Sequence, residues 1–145
     1  MSTAEQTATT EIVARQWFER LTSGDGEGAL ALMADDVEFV NYIPVPGYNT
    51  DMNWIGTWRG VDQVRESFRL FLDTVDVKRE EVLRVIAQGE HAAGVIHEIS
   101  TVKATGQDFE IEFVQWLTVR DGRIVRWMSY TDPSEILRAI RGEAG

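Results

Sequence analysis

Cysteine is absent from this chain of 145 residues, so it holds no disulfide framework, thiol nucleophile or thiolate metal site. Histidine is nearly absent. His91 and His97 are the two present, and without a third ligand nearby they make no metal site. Basic residues are short, with 14 Lys and Arg against 24 Asp and Glu, a formal net charge of −10. That balance excludes the basic stripe of a nucleic-acid surface and discourages contact with anionic membranes. No stretch approaches the ~20 apolar residues of a bilayer span. The opening MSTAEQTATTE lacks a basic region followed by an apolar run, so no signal peptide is expected and the expected address is cytoplasmic. Proline is scarce too, and two of the three, Pro44 and Pro46, fall in one segment.

Hydrophobic residues make up 43% of the chain, and five of them are Trp. Large rings in such number point to a big core or an aromatic-lined cavity. The length suits one domain able to bury a sizeable core. Residues 1–8 are small and polar and read as a flexible tail, with a single domain over 9–145. From Thr10 as a plausible N-cap, Ile12, Val13, Trp17 and Leu21 recur at helical spacing until Ser23-Gly24-Asp25-Gly26. A shorter helix is expected over 27–34 and a strand over 37–42. IPVPGYNTDMNWIGTWRG follows as an irregular aromatic loop, where binding residues tend to sit. Val61–Thr74 is the clearest amphipathic helix, with Val64, Phe68, Phe71, Leu72 and Val75 on its buried stripe.

Strands are expected over 78–88 and 91–104, followed by the long hairpin around which the domain is organised. DFEIEFVQWLTVR and RIVRWMSY flank Asp121-Gly122, a pair suited to the positive φ of a tight turn. Phe109, Ile111, Phe113, Gln115 and Leu117 share one face of the first strand. Glu110, Glu112, Val114, Trp116 and Thr118 share the other. Neither face is wholly polar. One side is expected to pack on helices and the other, through Val114, Trp116 and Met128, on a second subunit, giving a homodimer. Asp132-Pro133 opens a last short helix. The expected fold class is therefore α+β, a cone-shaped curved antiparallel sheet with three helices on its concave face and a short C-terminal helix.

This order, with ADDV before the first strand (Ala34–Val37), TWRG opening the third helix (Thr57–Gly60) and DGRIVRW..YTDP (Asp121–Pro133), resembles the nuclear transport factor 2-like cone fold from about Ile12 to Leu137. That superfamily houses ketosteroid isomerase, SnoaL-like polyketide cyclases and limonene epoxide hydrolase. Asn41 ahead of Pro44-Val45-Pro46, and Trp127 after Gly122-Arg123-Ile124, are similar to limonene epoxide hydrolase. Against that family's Asp–Arg–Asp relay, Ile96 stands at the arginine position, Glu98 at the second aspartate and Ser129 at the first, while Phe39 replaces the water-holding tyrosine. Against ketosteroid isomerase, Trp17 falls at the catalytic tyrosine, Asn41 at the general base and Gln115 roughly at the oxyanion-hole acid. The resemblance implies a cofactor-free enzyme using acid–base chemistry on a hydrophobic small molecule: hydration or epoxide opening, cyclisation or isomerisation. A non-catalytic ligand-binding protein of the same fold is the alternative.

On this register the inward face carries Phe39, Asn41, Ile96, Glu98, Ser100, Ile111, Phe113, Gln115, Trp127 and Ser129, an apolar wall with a few polar groups. Glu98 reads as its only strand carboxylate, and burial would raise its pKa into the range of a neutral acid or base. A one-residue slip would instead bring His97 inward and turn Glu98 outward. Asn41, Gln115 and Ser129 can hold a water or donate to a developing oxyanion. Trp54, Trp58, Tyr42 and Tyr48 are expected at the mouth with Asp51 as a mobile carboxylate, and Trp17 against the ligand. Glu80, Glu81, Glu110 and Glu112 read as solvated or edge charges.

Overall fold

The computed structural model describes residues 2–143. Met1 of the expected tail, and Ala144 and Gly145 at the end of the expected domain, lie outside the described residues. In chain order the elements are α1 (Thr3–Thr22), α2 (Gly26–Leu30), β1 (Met33–Asn41), β2 (Gly56–Arg59), α3 (Val61–Thr74), β3 (Val75–Gln88), β4 (His91–Val102), β5 (Asp108–Arg120), β6 (Arg123–Tyr130) and α4 (Ser134–Ile140). One six-stranded sheet runs β2-β1-β6-β5-β4-β3. The α+β cone is as expected, with one correction: β1 pairs with β6 in parallel, so the sheet is mixed. Pairing between strands so far apart in the chain leaves no local signature. Thr57, Trp58 and Arg59 belong to the short edge strand β2 and do not open α3, and Gly60 at φ 82° makes the turn into that helix.

Helix α1 starts at Thr3, where the Ser2 side chain accepts from Glu5 N at 3.1 Å, and the residues expected as a tail from Thr3 onward form its first turns. Those turns hold the β3–β4 hairpin. Gly89 N donates to Thr7 Oγ1 at 2.8 Å, and the buried Thr10 hydroxyl donates to Gly89 O at 2.7 Å. Thr10 is thus a tertiary anchor, not a cap, and the helix buries Val13, Ala14, Trp17 and Phe18 while Ile12 faces outward. Phe18 lies over Gly94, where a Cβ would come within 2.2 Å of its ring, so only glycine lets the helix approach β4 this closely.

At the organising hairpin Asp121 and Gly122 both take positive φ, 51° and 74°, the geometry that matches strand twist in a two-residue turn. Two departures from strict alternation matter for the cavity. Val125 is an extra residue where the β5–β6 register shifts, which lets Ile124 and Trp127 both turn inward. Lys78 is extra in β3, where Val77 faces Ser100 and Arg79 faces Ile99. Beyond that bulge Glu80 sits opposite Glu98.

Candidate active site: an aromatic cavity with a carboxyl pair

Between the concave face and the helices lies a cavity of about 520 Å³. Its floor is set by the register across four strands. Asn41 pairs with Ser129, Ser129 with Gln115, and Gln115 with Gly94, which puts three polar side chains in one row. In the adjacent row Phe39 stands beside Trp127, and the parallel β1–β6 pairing stacks their rings at 3.9 Å and 7°. Phe68 reaches down from α3 to meet Phe39 edge-on at 5.9 Å and Trp17 at 6.4 Å. These contacts surround a ligand space with flat, apolar faces.

Gln115 is 4% exposed and its orientation is fixed by two indoles. Trp17 Nε1 donates to Gln115 Oε1 at 2.8 Å and Trp127 Nε1 donates to the same oxygen at 3.0 Å. With both lone pairs of that oxygen engaged, the amide nitrogen is the group Gln115 has left to offer. Trp17, expected against the ligand, therefore both lines the cavity and holds Gln115.

A second polar cluster lies four residues away along β4 and β5, roughly 13 Å at the rise of a strand. Glu98 is 4% exposed, pairs with Ile111 on one side and Glu80 on the other, and accepts from Ser100 Oγ at 2.8 Å through Oε2. Desolvation pushes its pKa up to about 7, against which the Ser100 hydrogen bond acts. Glu80 is half-buried, and desolvation, then the charge of Glu98, pushes it up to about 8. Tyr42, at the end of β1, has φ 54° without being glycine. Burial first, and then neighbours that include Glu98, raise its phenol to about 12, so it keeps its proton and acts as a donor.

Of the expected site residues, Glu98, Asn41, Ser129, Gln115, Trp17, Phe39, Tyr42, Trp54, Phe113 and Trp127 all line the cavity. Ile96, Trp58, Tyr48, Asp51 and Ser100 are not among the lining residues. Ile96 is fully buried within the core, and Trp58 packs beneath the loop with its Nε1 donating to Trp54 O at 3.0 Å. Ser67 Oγ donates to the same carbonyl at 2.9 Å, which pins Trp54 against α3 and leaves its ring edge-on to Phe71 at 5.1 Å. Tyr48 and Asp51 are exposed and away from the cavity, with Asp51 bound to Arg141 at 3.1 Å. His97 is on the other face of the sheet, its Nε2 2.6 Å from Glu110 Oε2, so the slipped register does not occur. Glu98 and the Asn41–Gln115–Ser129 group, expected on one inward face, share that face and stand at two ends of the floor.

Glu80 is the cavity carboxyl group that sequence reasoning missed. Alternation from Val77 would turn it out, and only the extra Lys78 turns it in. The run Lys78–Glu81 puts charges on both faces of one strand, and Glu80 is the one of the four that is not exposed. Phe68, Phe71 and Leu72 of α3 and the 21–26 turn complete the lining. Among the described residues no three His, Asp or Glu side chains gather into a metal-ligating group.

The fold and its cavity can be compared with known proteins. Residues 14–127 match the model of the SnoaL-like domain, and the chain belongs to that family within the nuclear transport factor 2-like superfamily. Among solved structures it is similar to a nuclear transport factor 2-like protein from Burkholderia xenovorans, 26% identical over 92% of this chain and 97% of that one, with a TM-score of 0.75. A second, of unknown function, comes from Burkholderia pseudomallei and is 23% identical over 91% and 97%, with a TM-score of 0.79. A third, TerC co-crystallised with polyporic acid, is 21% identical over 92% and 98%, with a TM-score of 0.77. No curated protein matches the chain.

Proposed function

We propose that the protein is an enzyme that moves protons on a flat, hydrophobic small molecule without a cofactor, in an isomerisation, cyclisation or hydration. The observation that carries this reading is Glu98, a carboxyl group buried in an aromatic cavity with its pKa near neutrality and no cation paired to it among the described residues. Burying such a group costs stability, and a carboxyl group with its pKa so shifted inside a cavity is a candidate for proton transfer. Glu98 is the proton-transfer group. Gln115, oriented by Trp17 and Trp127, donates to a substrate oxygen at the far end, with Asn41 and Ser129 in the same row. A conjugated substrate spanning the two ends would carry developing charge from the atom Glu98 deprotonates to the oxygen on Gln115, where a fixed donor stabilises it. Phe39, Phe68, Phe71 and Trp127 supply the slab in which such a molecule fits. TerC crystallised with polyporic acid is in keeping with an organic ligand for this fold.

The test is a panel of conjugated enones, β-ketoesters, lactones and epoxides, with binding followed by tryptophan fluorescence and turnover by chromatography. Turnover of at least one class is expected, with a pH dependence centred near neutrality. Binding across the panel with no turnover would make the protein a ligand carrier instead.

The convex face is the basis for a homodimer. Trp116 and Tyr130 stay 38% and 53% exposed there, and Val114 and Met128 are only partly covered. Sedimentation at micromolar concentration should give a dimer, and Trp116→Glu should shift it toward monomer. A wild-type monomer would contradict this use of the face.

A further inference from the structure

Glu80 and Glu98 are direct cross-strand partners on one face of the sheet, and both line the cavity. Like charges placed directly opposite destabilise a sheet, and here no cation relieves them. Lys78 is engaged with Asp76 at 2.7 Å and Arg79 with Glu81 at 2.9 Å. Ile111 flanks Glu98 on β5, and Glu110 and the 97-position imidazole lie on the far face. The cavity-lining residues of α3 and of the 21–26 turn carry no titratable side chain, and Tyr42 from β1 remains neutral. Ser100 satisfies one oxygen of Glu98, and the other has no partner among the described residues. Lys78 and Arg79 also line the cavity, but each is held by its own acidic neighbour, and among the described residues neither is paired with Glu80 or Glu98, which leaves a proton for the two carboxyls to share.

We propose that Glu80 is a second catalytic residue, and that Glu80 and Glu98 hold one proton between them and use it to shift a proton from one atom of the substrate to another. This rests on the proton-transfer reading above and narrows its substrate class to compounds that tautomerise or move a double bond, conjugated ketones foremost. In the step, the Glu98 carboxylate takes a proton from a substrate C–H, and the bond's electron pair enters the conjugated system. The Glu80 carboxylic acid delivers its proton to another carbon of that conjugated system near Glu98, and the electron pair held meanwhile on the oxygen at Gln115 forms the new C–H bond. The product is an isomer, Glu98 is left protonated and Glu80 ionised, and return of the proton from Glu98 to Glu80 restores the pair. No oxidant, reductant or water is consumed. Burial raises both carboxyls, Glu98 to about 7 and Glu80 to about 8, and the charge of Glu98 adds to the rise at Glu80.

The experiment is a carboxyl ¹³C NMR titration of protein labelled at glutamate Cδ, with Glu80→Gln and Glu98→Gln assigning the two signals. Wild type should show two coupled steps at and above neutrality, each visible at both carboxyls. In Glu80→Gln the Glu98 carboxyl should titrate in a single step at lower pH, and Glu80→Asp should restore two steps. An unchanged Glu98 midpoint in Glu80→Gln, or independent titration of both groups in wild type, would overturn the pair. The titration needs no substrate. Coupled steps in a protein that turns nothing over would leave the pair standing and remove the enzymatic reading.

Discussion

Glu98→Gln is expected to lower turnover by about 10²–10⁴-fold while leaving ligand affinity within a few-fold, and to make the protein more stable above neutral pH. Gln keeps the shape of the side chain and can still accept from Ser100, so the cavity should survive. The stability effect has a definite sign. Glu98 has a folded pKa of about 7 against an ordinary value of 4.5, so between those values the native state holds a proton that the unfolded chain has released. Stability is therefore fully present below the unfolded value and is lost as pH rises through the folded one. The shift corresponds to at most about 3 kcal/mol. Glu80 adds loss in the same direction, in part because of the Glu98 charge, which the substitution removes. Urea unfolding at pH 5 and pH 9 should show wild type weakening more than Glu98→Gln. Equal pH dependence in the two proteins would mean that Glu98 is not buried as a neutral acid.

The second large effect is expected at Trp127. Trp127→Ala should cost about 3–5 kcal/mol, the range for truncating a large buried aromatic residue. Three losses coincide there: the ring is 3% exposed, it is the stacking partner of Phe39, and its N–H is one of two that fix Gln115. The amide should then be free to turn, so the variant should also bind apolar ligands more weakly than its remaining stability explains. Trp127→Phe keeps a ring against Phe39 while losing the N–H and part of the indole's volume, so comparison with Trp127→Ala separates most of the packing from the hydrogen bond. If Trp127→Phe binds ligands as wild type does, Gln115 does not need the second indole.

Much of this molecule was legible in its sequence because local rules agree with the fold. Asp121-Gly122 took the turn geometry its residues favour, and Val61–Thr74 formed the helix its period called for. The face shared by Phe109, Ile111, Phe113, Gln115 and Leu117 did turn inward, and with it Glu98 on the neighbouring strand. The parallel β1–β6 pair was not legible, because it is set by packing between strands far apart in the chain. Nor was the start of α1, where ties to the Gly89 turn extend the helix through residues of little apolar pattern. Each error in the site has a comparable cause. Glu80 depends on a one-residue bulge, Trp58 on a hydrogen bond to Trp54 O, and Ile96 on helices that cover its part of the floor before the cavity begins. Alternation gives the face a side chain takes. Whether that face opens on space or on packed core is decided by what lies above it.

The central claim, that Glu98 moves a substrate proton inside the cavity, is tested most directly by hydrogen exchange on a bound ligand. A conjugated ketone shown by fluorescence to occupy the cavity would be incubated in D₂O near neutrality, and loss of its acidic C–H followed by proton NMR. Wild type should accelerate exchange well above the buffer rate, and Glu98→Gln, with the ligand still bound, should return it to near that rate. Equal acceleration by both proteins would contradict the account.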